Sequence, residues 1–332
     1  MIHCEPKLPA NILQVDLGTP ATNMEHSSSY GSSLKMTPTS QASSTTETSP
    51  ITPINPKSST EYVDMPESGA QAISHILQPK ELEIVQNWQD SATDQLPLWL
   101  IHDGSGLCAQ YHRLESLQRT VYAIHDPKFF SDDSWTDVSE MAEEYAQLIR
   151  RNTSGSCIVG GWSFGGIVAF EVARTLSAVG FPVAGVVLID SPSPINHQPL
   201  SPRIIDTVIN SIQSDERRTT NVGGTIRQMI RRNFISCAGM LAKFKPDDPA
   251  KTGRPIPSIV LLRSTENFRL DDGSIENPWL QDRSNPGSAV AGWEMITNKK
   301  VPVIDIPGNH FQPFQPAQVC HSFPSSCQKK LD

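Results

Sequence analysis

The sequence predicts an α/β fold in which a mostly parallel β-sheet is flanked by helices. From about residue 95, short apolar runs alternate with segments whose apolar residues recur at helical spacing. This alternation is typical of parallel strands joined by crossover helices that cover both faces of the sheet. With 332 residues, of which 37% are hydrophobic, the chain is long enough for one large catalytic domain plus additional segments.

The apolar runs define six predicted strands and two well-patterned helices. The strands are expected at 98–102, 121–124, 157–160, 183–189, 259–262 and 301–306. The helices are expected over 141–149 and 167–176, and a further helix is expected from Cys108 onward. Pro302 has no N–H to donate, so it belongs at the start of a strand or at a sheet edge.

The N-terminal segment 1–70 is predicted to be a disordered tail or linker. Residues 27–60 contain 18 serines and threonines and 4 prolines in 34 positions. Such a composition cannot bury enough apolar surface to offset the entropy of ordering. Either it is a solvated tail without a role, or it tethers domains to each other. The folded domain is placed at 71–332, with a mostly helical insertion at about 193–255.

The bulk composition excludes several classes of function. A formal net charge of −8 argues against nucleic acid as the main partner. No run of 18 apolar residues predicts a membrane helix, and the N-terminus lacks the pattern of a signal peptide. The six cysteines are scattered without a CxxC pair, which favours reduced thiols in a cytoplasmic enzyme and indicates no metal site.

Ser163 is the predicted nucleophile of an α/β-hydrolase. It lies in a GxSxG pattern that follows a predicted strand and opens a predicted helix, which is the context of a nucleophile elbow. Side chains two positions before and after the serine would collide across the sharp turn, and Gly161 and Gly165 avoid this. The alternative is a glycine-rich turn with a capping serine. The helix N-terminus would direct its free N–H groups at a developing oxyanion.

A serine nucleophile needs a base, and the base needs an acid that orients it. In this fold class the chain order is serine, acid, histidine. Asp190 ends a predicted strand at the start of a loop and is the favoured acid, with Asp305 as the competitor. His310 directly follows the last strand, in a turn eased by glycine and asparagine, and is the predicted base. Of the other two histidines after the nucleophile, His197 is interpreted as a loop residue and His321 as a surface residue near the C-terminus.

The oxyanion hole is predicted from two backbone N–H groups. One belongs to Phe164, the residue after the nucleophile. The other should come from the loop after the first of the six predicted strands, where Gly104 is the preferred donor and Ser105 the second choice. His102, at the end of that strand, is interpreted as a packing residue.

Four segments together resemble the thioesterase domains of fungal polyketide synthases and, more widely, the type I thioesterases of polyketide, nonribosomal peptide and fatty-acid synthases. They are 101–106 (IHDGSG), 160–166 (GGWSFGG), 188–192 (LIDSP) and 307–311 (PGNHF). The resemblance covers about residues 95–320. It implies an α/β-hydrolase fold with a helical lid between the sixth and seventh strands, matching 193–255. It also implies Ser163 as nucleophile, His310 as base and Asp190 as orienting acid.

The same resemblance implies a substrate, a partner and no resident cofactor. The substrate would be an acyl chain on the phosphopantetheine arm of an acyl carrier protein domain of a polyketide synthase. Two features depart from the family pattern: Asp103 stands where many relatives have proline, and no carrier serine signature precedes residue 95. The chain is therefore expected to act on a carrier in trans or to be a detached terminal domain.

The helical insertion has a charge opposite to that of the rest of the chain. Residues 201–251 hold nine lysines and arginines and five acids, a net +4 against −12 elsewhere. Arg231 and Arg232, with Arg227, are predicted to dock an acidic carrier, and the alternative is an ordinary solvated helix face.

The sequence is compatible with three functions. The first is thioester release, in which water gives an acid, a substrate hydroxyl gives a lactone and a substrate carbanion gives a Claisen-type ring. The second is a general esterase or acyltransferase, and the third is an inactive acyl-binding partner.

Overall fold

The computed structural model describes residues 81–88, 95–211, 221–246 and 252–314. The predicted tail at 1–70 and His321 lie outside the described residues. Seven strands form one sheet: β1 (Leu82–Gln86), β2 (Leu98–Ile101), β3 (Val121–Ile124), β4 (Cys157–Trp162), β5 (Val183–Ile189), β6 (Ile259–Ser264) and β7 (Val303–Ile306). Their order in the sheet is β1-β3-β2-β4-β5-β6-β7.

All neighbouring strands are parallel except β1, which pairs antiparallel with β3. The predicted α/β-hydrolase fold, a mostly parallel sheet flanked by helices, is confirmed. Sequence patterning missed β1, whose side chains are only partly buried. A short edge strand of this kind lacks the continuous apolar run that reveals a strand buried on both faces.

The described helices are α1 (Val138–Asn152), α2 (Phe164–Ala178), α3 (Pro202–Ser211), α4 (Asn221–Lys243), α5 (Pro278–Gln281) and α6 (Pro286–Thr297). Asp137 caps α1, because its side chain accepts hydrogen bonds from the N–H groups of Ser139 and Glu140. The helix expected after Cys108 is a short 3-10 turn, Ala109–Arg113. None of the helices in the described part of the chain is both long and apolar enough to cross a bilayer.

Apolar side chains fill both faces of the sheet. On one face, α1 and α2 pack on the central strands, and every residue of α2 from Phe164 to Arg174 is buried. On the other face, Leu100, Val187 and Val260 belong to a second cluster. The carboxyl ends of β4, β5 and β7 meet at one edge of this sheet, where parallel α/β folds bind ligands.

The helical insertion supplies α3 and α4. Among the described strands it lies between the fifth and the sixth, whereas the resemblance implied a position between the sixth and the seventh. The count differs because the described sheet has seven strands, only five of which precede the insertion.

Candidate active site

Ser163 lies at a strained turn between β4 and α2. Its backbone has φ 56° and ψ −123°, a conformation that L-residues adopt only when their surroundings enforce it. A Cβ at Gly161 would lie 2.4 Å from the carbonyl carbon of Gly165, and one at Gly165 would lie 2.4 Å from the carbonyl oxygen of His102. The two glycines are therefore required by backbone contacts across the turn and to the next strand.

The structure brings Ser163, His310 and Asp190 together. The Ser163 Oγ lies 2.9 Å from Nε2 of His310, and Nδ1 of His310 lies 2.8 Å from Oδ2 of Asp190. Asp190 follows β5, and His310 follows β7 in a turn that contains Gly308 at φ 87°. An imidazole that donates Nδ1–H to the carboxylate leaves Nε2 free to accept the hydroxyl proton.

The loop that carries His310 is fixed to the nucleophile turn by Trp162. The indole Nε1 of Trp162 donates to the carbonyl oxygen of His310 at 3.0 Å, although the two residues are 148 positions apart. The Trp162 N–H donates in turn to the hydroxyl of Tyr111, and this hydroxyl donates to the carbonyl of Ile101. These bonds hold the ends of β2 and β4 and the His310 loop in one arrangement.

Arg283 is a site residue that sequence reasoning missed. Its Nη1 and Nη2 lie 3.1 and 3.0 Å from Oδ1 and Oδ2 of Asp190. The two side chains are 3% and 1% exposed, so this bidentate pair is buried. The Ser264 N–H adds a bond of 2.9 Å to Oδ1. A lone arginine in a polar loop has no sequence pattern that distinguishes it from a surface residue.

Burial and charge set the protonation states of this pair. Burial raises the pKa of Asp190, but the hydrogen bond and charge of His310, with Arg283 and the Ser264 N–H, outweigh it and leave the pKa below its usual value. Burial lowers the pKa of His310, and Arg283 lowers it further, against the opposing effect of Asp190. The site therefore holds an ionised Asp190 beside a neutral His310 near pH 7.

The residues predicted for the oxyanion hole border the same space. Gly104 and Phe164 line the pocket that contains Ser163 and His310. Within the described residues, the N–H groups of Gly104 and Phe164 donate no hydrogen bond, whereas the Ser105 N–H donates to Oδ1 of Asp103 at 2.7 Å. This geometry favours Gly104 over Ser105, because Asp103 already accepts the hydrogen bond of the Ser105 N–H.

The other residues weighed from the sequence lie apart from the nucleophile's hydrogen bonds. His102 is buried, with Nε2 at 2.8 Å from the Tyr145 hydroxyl, which fits its interpretation as a packing residue. Asp305 forms a bidentate pair with Arg263 and is 55% exposed. Asp190, not Asp305, thus contacts His310.

Helix α4 covers the pocket that contains Ser163. Phe234, Cys237 and Leu241 of this helix line the pocket, which has a volume of about 30 Å³. A ring carbon of Phe234 lies 2.8 Å from where a Cβ at Gly104 would be, so only glycine fits beneath the ring. Asn233 anchors the helix, because its Nδ2 donates to the buried Oδ2 of Asp126 at 3.0 Å.

The arginines predicted to dock a carrier make contacts within the chain. Arg231 pairs with Asp206 of α3 at 2.6 Å, and Arg232 donates to the carbonyl oxygen of Phe129 at 2.6 Å. Arg227 lies on the same helix and also interacts within the chain. Carrier docking by these arginines stays a prediction. Among the described residues, no group of histidine, cysteine, aspartate or glutamate side chains is arranged to hold a metal ion.

The fold and the site geometry define an α/β-hydrolase. A family profile described as Thioesterase domain matches residues 96–327, and the chain belongs to this family. It is 41% identical over 268 residues to an orsellinic acid synthase of Beauveria bassiana, covering 71% of this chain and 12% of the relative. It is 32% identical over 226 residues to a thioesterase of Alternaria alternata, covering 66% of this chain and 78% of that protein.

The chain therefore spans about an eighth of the length of the orsellinic acid synthases that it resembles. Among solved structures, it is similar to YbtT, a type II thioesterase from the yersiniabactin pathway, with a TM-score of 0.52 and 15% identity. That match covers 70% of this chain and 92% of YbtT. The predicted kinship with thioesterases of fungal polyketide pathways is confirmed by these relatives.

Proposed function

We propose that this chain releases an acyl chain from the phosphopantetheine thioester of a carrier protein through an acyl-serine intermediate. The observation that carries the proposal is the chain of contacts from Ser163 Oγ to His310 Nε2 at 2.9 Å and from His310 Nδ1 to Asp190 Oδ2 at 2.8 Å. These contacts lie beside the backbone N–H groups of Gly104 and Phe164, which donate no hydrogen bond within the described residues. This arrangement is the general solution for activating a serine hydroxyl.

In the first half-reaction, Ser163 Oγ attacks the thioester carbonyl while His310 Nε2 takes its proton. The tetrahedral oxyanion accepts hydrogen bonds from the N–H groups of Gly104 and Phe164, which the N-terminal end of α2 supports electrostatically. The C–S bond then breaks, and the imidazolium returns the proton to the departing sulfur. Asp190 stays ionised and stabilises the imidazolium, and the products are the free thiol and the acyl ester of Ser163.

In the second half-reaction, a nucleophile attacks the acyl ester with His310 as its base. Water would release a carboxylic acid, and a hydroxyl or a carbanion of the acyl chain would release a lactone or a Claisen-type ring. We favour hydrolysis as the default, because water needs no folded acyl conformation in a pocket of about 30 Å³ under α4.

The proposed partner is an acyl carrier protein domain of a polyketide synthase. Relatives over this region are named as orsellinic acid synthases and as thioesterases, which supports a substrate delivered on a synthase carrier. The substrate itself is covalently attached to the carrier's phosphopantetheine, so the thioesterase needs no cofactor of its own.

Intact-mass analysis of the full chain with acyl thioesters of N-acetylcysteamine tests the nucleophile. We expect the mass of the wild-type chain to increase by one acyl group, and we expect no increase for Ser163→Ala. Ser139→Ala, at an exposed position of α1, is the matched control and should acylate normally. Acylation of Ser163→Ala at the wild-type rate would refute the assignment.

The substrate class and the product need separate comparisons. Matched oxyesters and thioesters distinguish a thioesterase from a general esterase, and we expect the thioester to react faster. An acyl chain on a carrier domain should react with a higher kcat/KM than the same chain on N-acetylcysteamine. Chromatography of the product identifies an acid, a lactone or a carbocycle, and recovery of a ring alone would overturn hydrolysis.

A further inference from the structure

Besides His310, two side chains with ring nitrogens line the pocket that contains the nucleophile. They are His197, in the loop after β5, and Trp279 of α5, and we call them the polar pair. The indole Nε1 of Trp279 is buried and unpaired within the described part of the chain. Buried polar groups in folded proteins are nearly always hydrogen-bonded, so an unpaired one suggests a missing partner such as a ligand.

The polar pair borders the catalytic pocket and a larger space beside it. His197 and Trp279 both line the pocket that contains Ser163 and His310. Both also line a neighbouring cleft of about 500 Å³. The pocket at Ser163 is small, at about 30 Å³ against about 500 Å³ for the neighbouring cleft, so the body of an acyl chain needs the neighbouring cleft.

The position of Trp279 relates it to the reacting atoms. Its ring centroid lies 5.1 Å from that of His310, and the Arg283 guanidinium stacks on it at 4.2 Å. Most other side chains around Ser163 are apolar, including Leu200, Phe234 and Leu241. A polar group close to the thioester would therefore find hydrogen-bonding partners mainly in the polar pair.

We propose that His197 and Trp279 bind an oxygen atom of the acyl chain near the scissile thioester, and so select oxygenated acyl chains over plain alkyl chains. An indole N–H can only donate, so its partner must be an oxygen with a free lone pair, such as a keto or hydroxyl oxygen. A neutral imidazole can donate to that oxygen or accept from a hydroxyl. This inference rests on the proposed function, since it concerns the acyl chain that Ser163 receives.

The protonation state of His197 agrees with this role. Burial and the neighbouring His310 lower the pKa of His197 to about 4, so its ring is neutral near pH 7. A neutral ring can bind either a ketone or an alcohol without a counter-ion. It also leaves the base His310 without a second positive charge close by.

A comparison of two acyl chains tests the assignment. The substrates are N-acetylcysteamine thioesters of a saturated acyl chain and of the same chain with a β-keto or β-hydroxyl group. We expect the wild-type kcat/KM to favour the oxygenated chain, and Trp279→Phe or His197→Phe to reduce that preference by about tenfold, the usual effect of leaving a bound polar group unpaired. His197→Asn keeps a hydrogen-bonding side chain and should retain part of the preference.

The matched controls make the same changes away from the pocket. Trp99→Phe removes an indole that bonds to Thr153, and His112→Phe removes a half-exposed ring that pairs with Glu83. Both should keep the wild-type preference. The same ratio of kcat/KM in the wild type, Trp279→Phe and His197→Phe would overturn the proposal.

The phosphopantetheine arm is the other source of oxygen atoms. If the polar pair bound an amide oxygen of the arm, the variants would lower kcat/KM equally for both chains on N-acetylcysteamine and not at all on a thiol without an amide. That pattern also overturns the proposal. Failure of the proposed function looks different, because then neither chain acylates Ser163 even in the wild type.

Discussion

Replacement of Arg283 by methionine is expected to lower the free energy of unfolding by about 3 kcal/mol. The Asp190 carboxylate is 1% exposed and would lose two hydrogen bonds and its cationic partner. Removing one member of a buried ion pair costs about 3–5 kcal/mol, because the remaining charge stays buried without its counter-ion. The Ser264 N–H and His310 still bond to Asp190, which places the expected loss at the lower end of that range.

Arg263→Met is the matched control because it removes a guanidinium that also binds a carboxylate through two hydrogen bonds, here from Nε and Nη2. Arg263 binds Asp305 through two bonds of 2.8 Å, but Asp305 is 55% exposed and regains water when its partner is removed. The Arg263 side chain is 6% exposed, but its partner stays solvated, so the loss should be smaller than for Arg283 and closer to the value of about 1 kcal/mol for an exposed pair. The comparison therefore tests whether burial of the carboxylate, and not merely the presence of two hydrogen bonds, sets the size of the loss.

Urea unfolding of the full chain, followed by circular dichroism, measures both losses. For a domain of this size, 3 kcal/mol corresponds to a decrease in Tm of roughly 6–12 °C. Asp190→Asn combined with Arg283→Met removes the uncompensated charge and should recover part of the stability. Equal losses for Arg283→Met and Arg263→Met would refute the reasoning, as would a double variant no more stable than Arg283→Met.

The same substitution has a kinetic signature. Arg283 lowers the pKa of His310 by charge repulsion, and the base must be neutral to accept the proton of Ser163. Loss of Arg283 removes that repulsion, so the pKa of His310 rises and the acid limb of the profile of kcat/KM against pH moves to higher pH. An unchanged limb in a folded Arg283→Met enzyme would contradict this electrostatic role.

Three further predictions concern the base, the nucleophile turn and the lid. In the wild type, kcat/KM should stay high as the pH falls through the ordinary histidine value of 6.5 and decline only below it, because burial lowers the pKa of His310; a limb above 6.5 would contradict this. Gly165→Ala should lower the free energy of unfolding by about 1–3 kcal/mol, because its Cβ would meet a backbone carbonyl. Gly155→Ala, where the Cβ meets nothing within 4 Å, is the control in the same urea titration, and equal losses would refute the steric argument. Phe234→Ala should widen the pocket over Ser163 and shift kcat/KM toward bulky acyl thioesters by about tenfold, and an unchanged ratio of bulky to small substrates would show that Phe234 does not limit the pocket.

Stability should also depend on pH through the buried pair. The folded-state pKa values of Asp190 and His310 both lie below their ordinary values of 3.8 and 6.5. Each group therefore contributes stability that is fully present above its unfolded pKa and is lost as the pH falls toward its folded pKa. For His310 the loss begins near pH 6.5, so urea midpoints should decrease from there downward. A midpoint that rises on acidification would contradict the sign.

Sequence patterning predicted the central strands well because those strands are buried on both faces. β2, β3, β4, β5 and β6 all carry nearly continuous apolar runs. Pro302 was expected at a strand start or at a sheet edge, and it directly precedes the edge strand β7, where its carbonyl oxygen accepts a hydrogen bond from the N–H of Leu261 at 2.9 Å. The edge strand β1 was missed because its side chains are only partly buried and its composition is mixed.

The residues placed together at the site were predicted for a local reason. A serine at a sharp strand-to-helix turn needs small residues on both sides. Gly161 and Gly165 meet this requirement two positions before and two positions after Ser163, so the motif is recognisable from the sequence. Asp190 and His310 each directly follow a strand, so the parallel sheet brings them to the same edge as Ser163. Their catalytic roles, and those of Gly104 and Phe164, remain predictions that the acylation experiment tests.

The amino-acid sequence by itself determined the fold class, the thioesterase family and the identity of the three residues that meet at the site, Ser163, Asp190 and His310. Only the tertiary structure decided that Arg283 pairs with Asp190, that α4 closes over the nucleophile, and that His197 and Trp279 border its pocket. The physical reason is the separation of the residues along the chain. Strand burial and turn sterics depend on residues that are neighbours in the sequence. Arg283 and Asp190 are 93 positions apart and meet only when packing around the sheet brings their loops together.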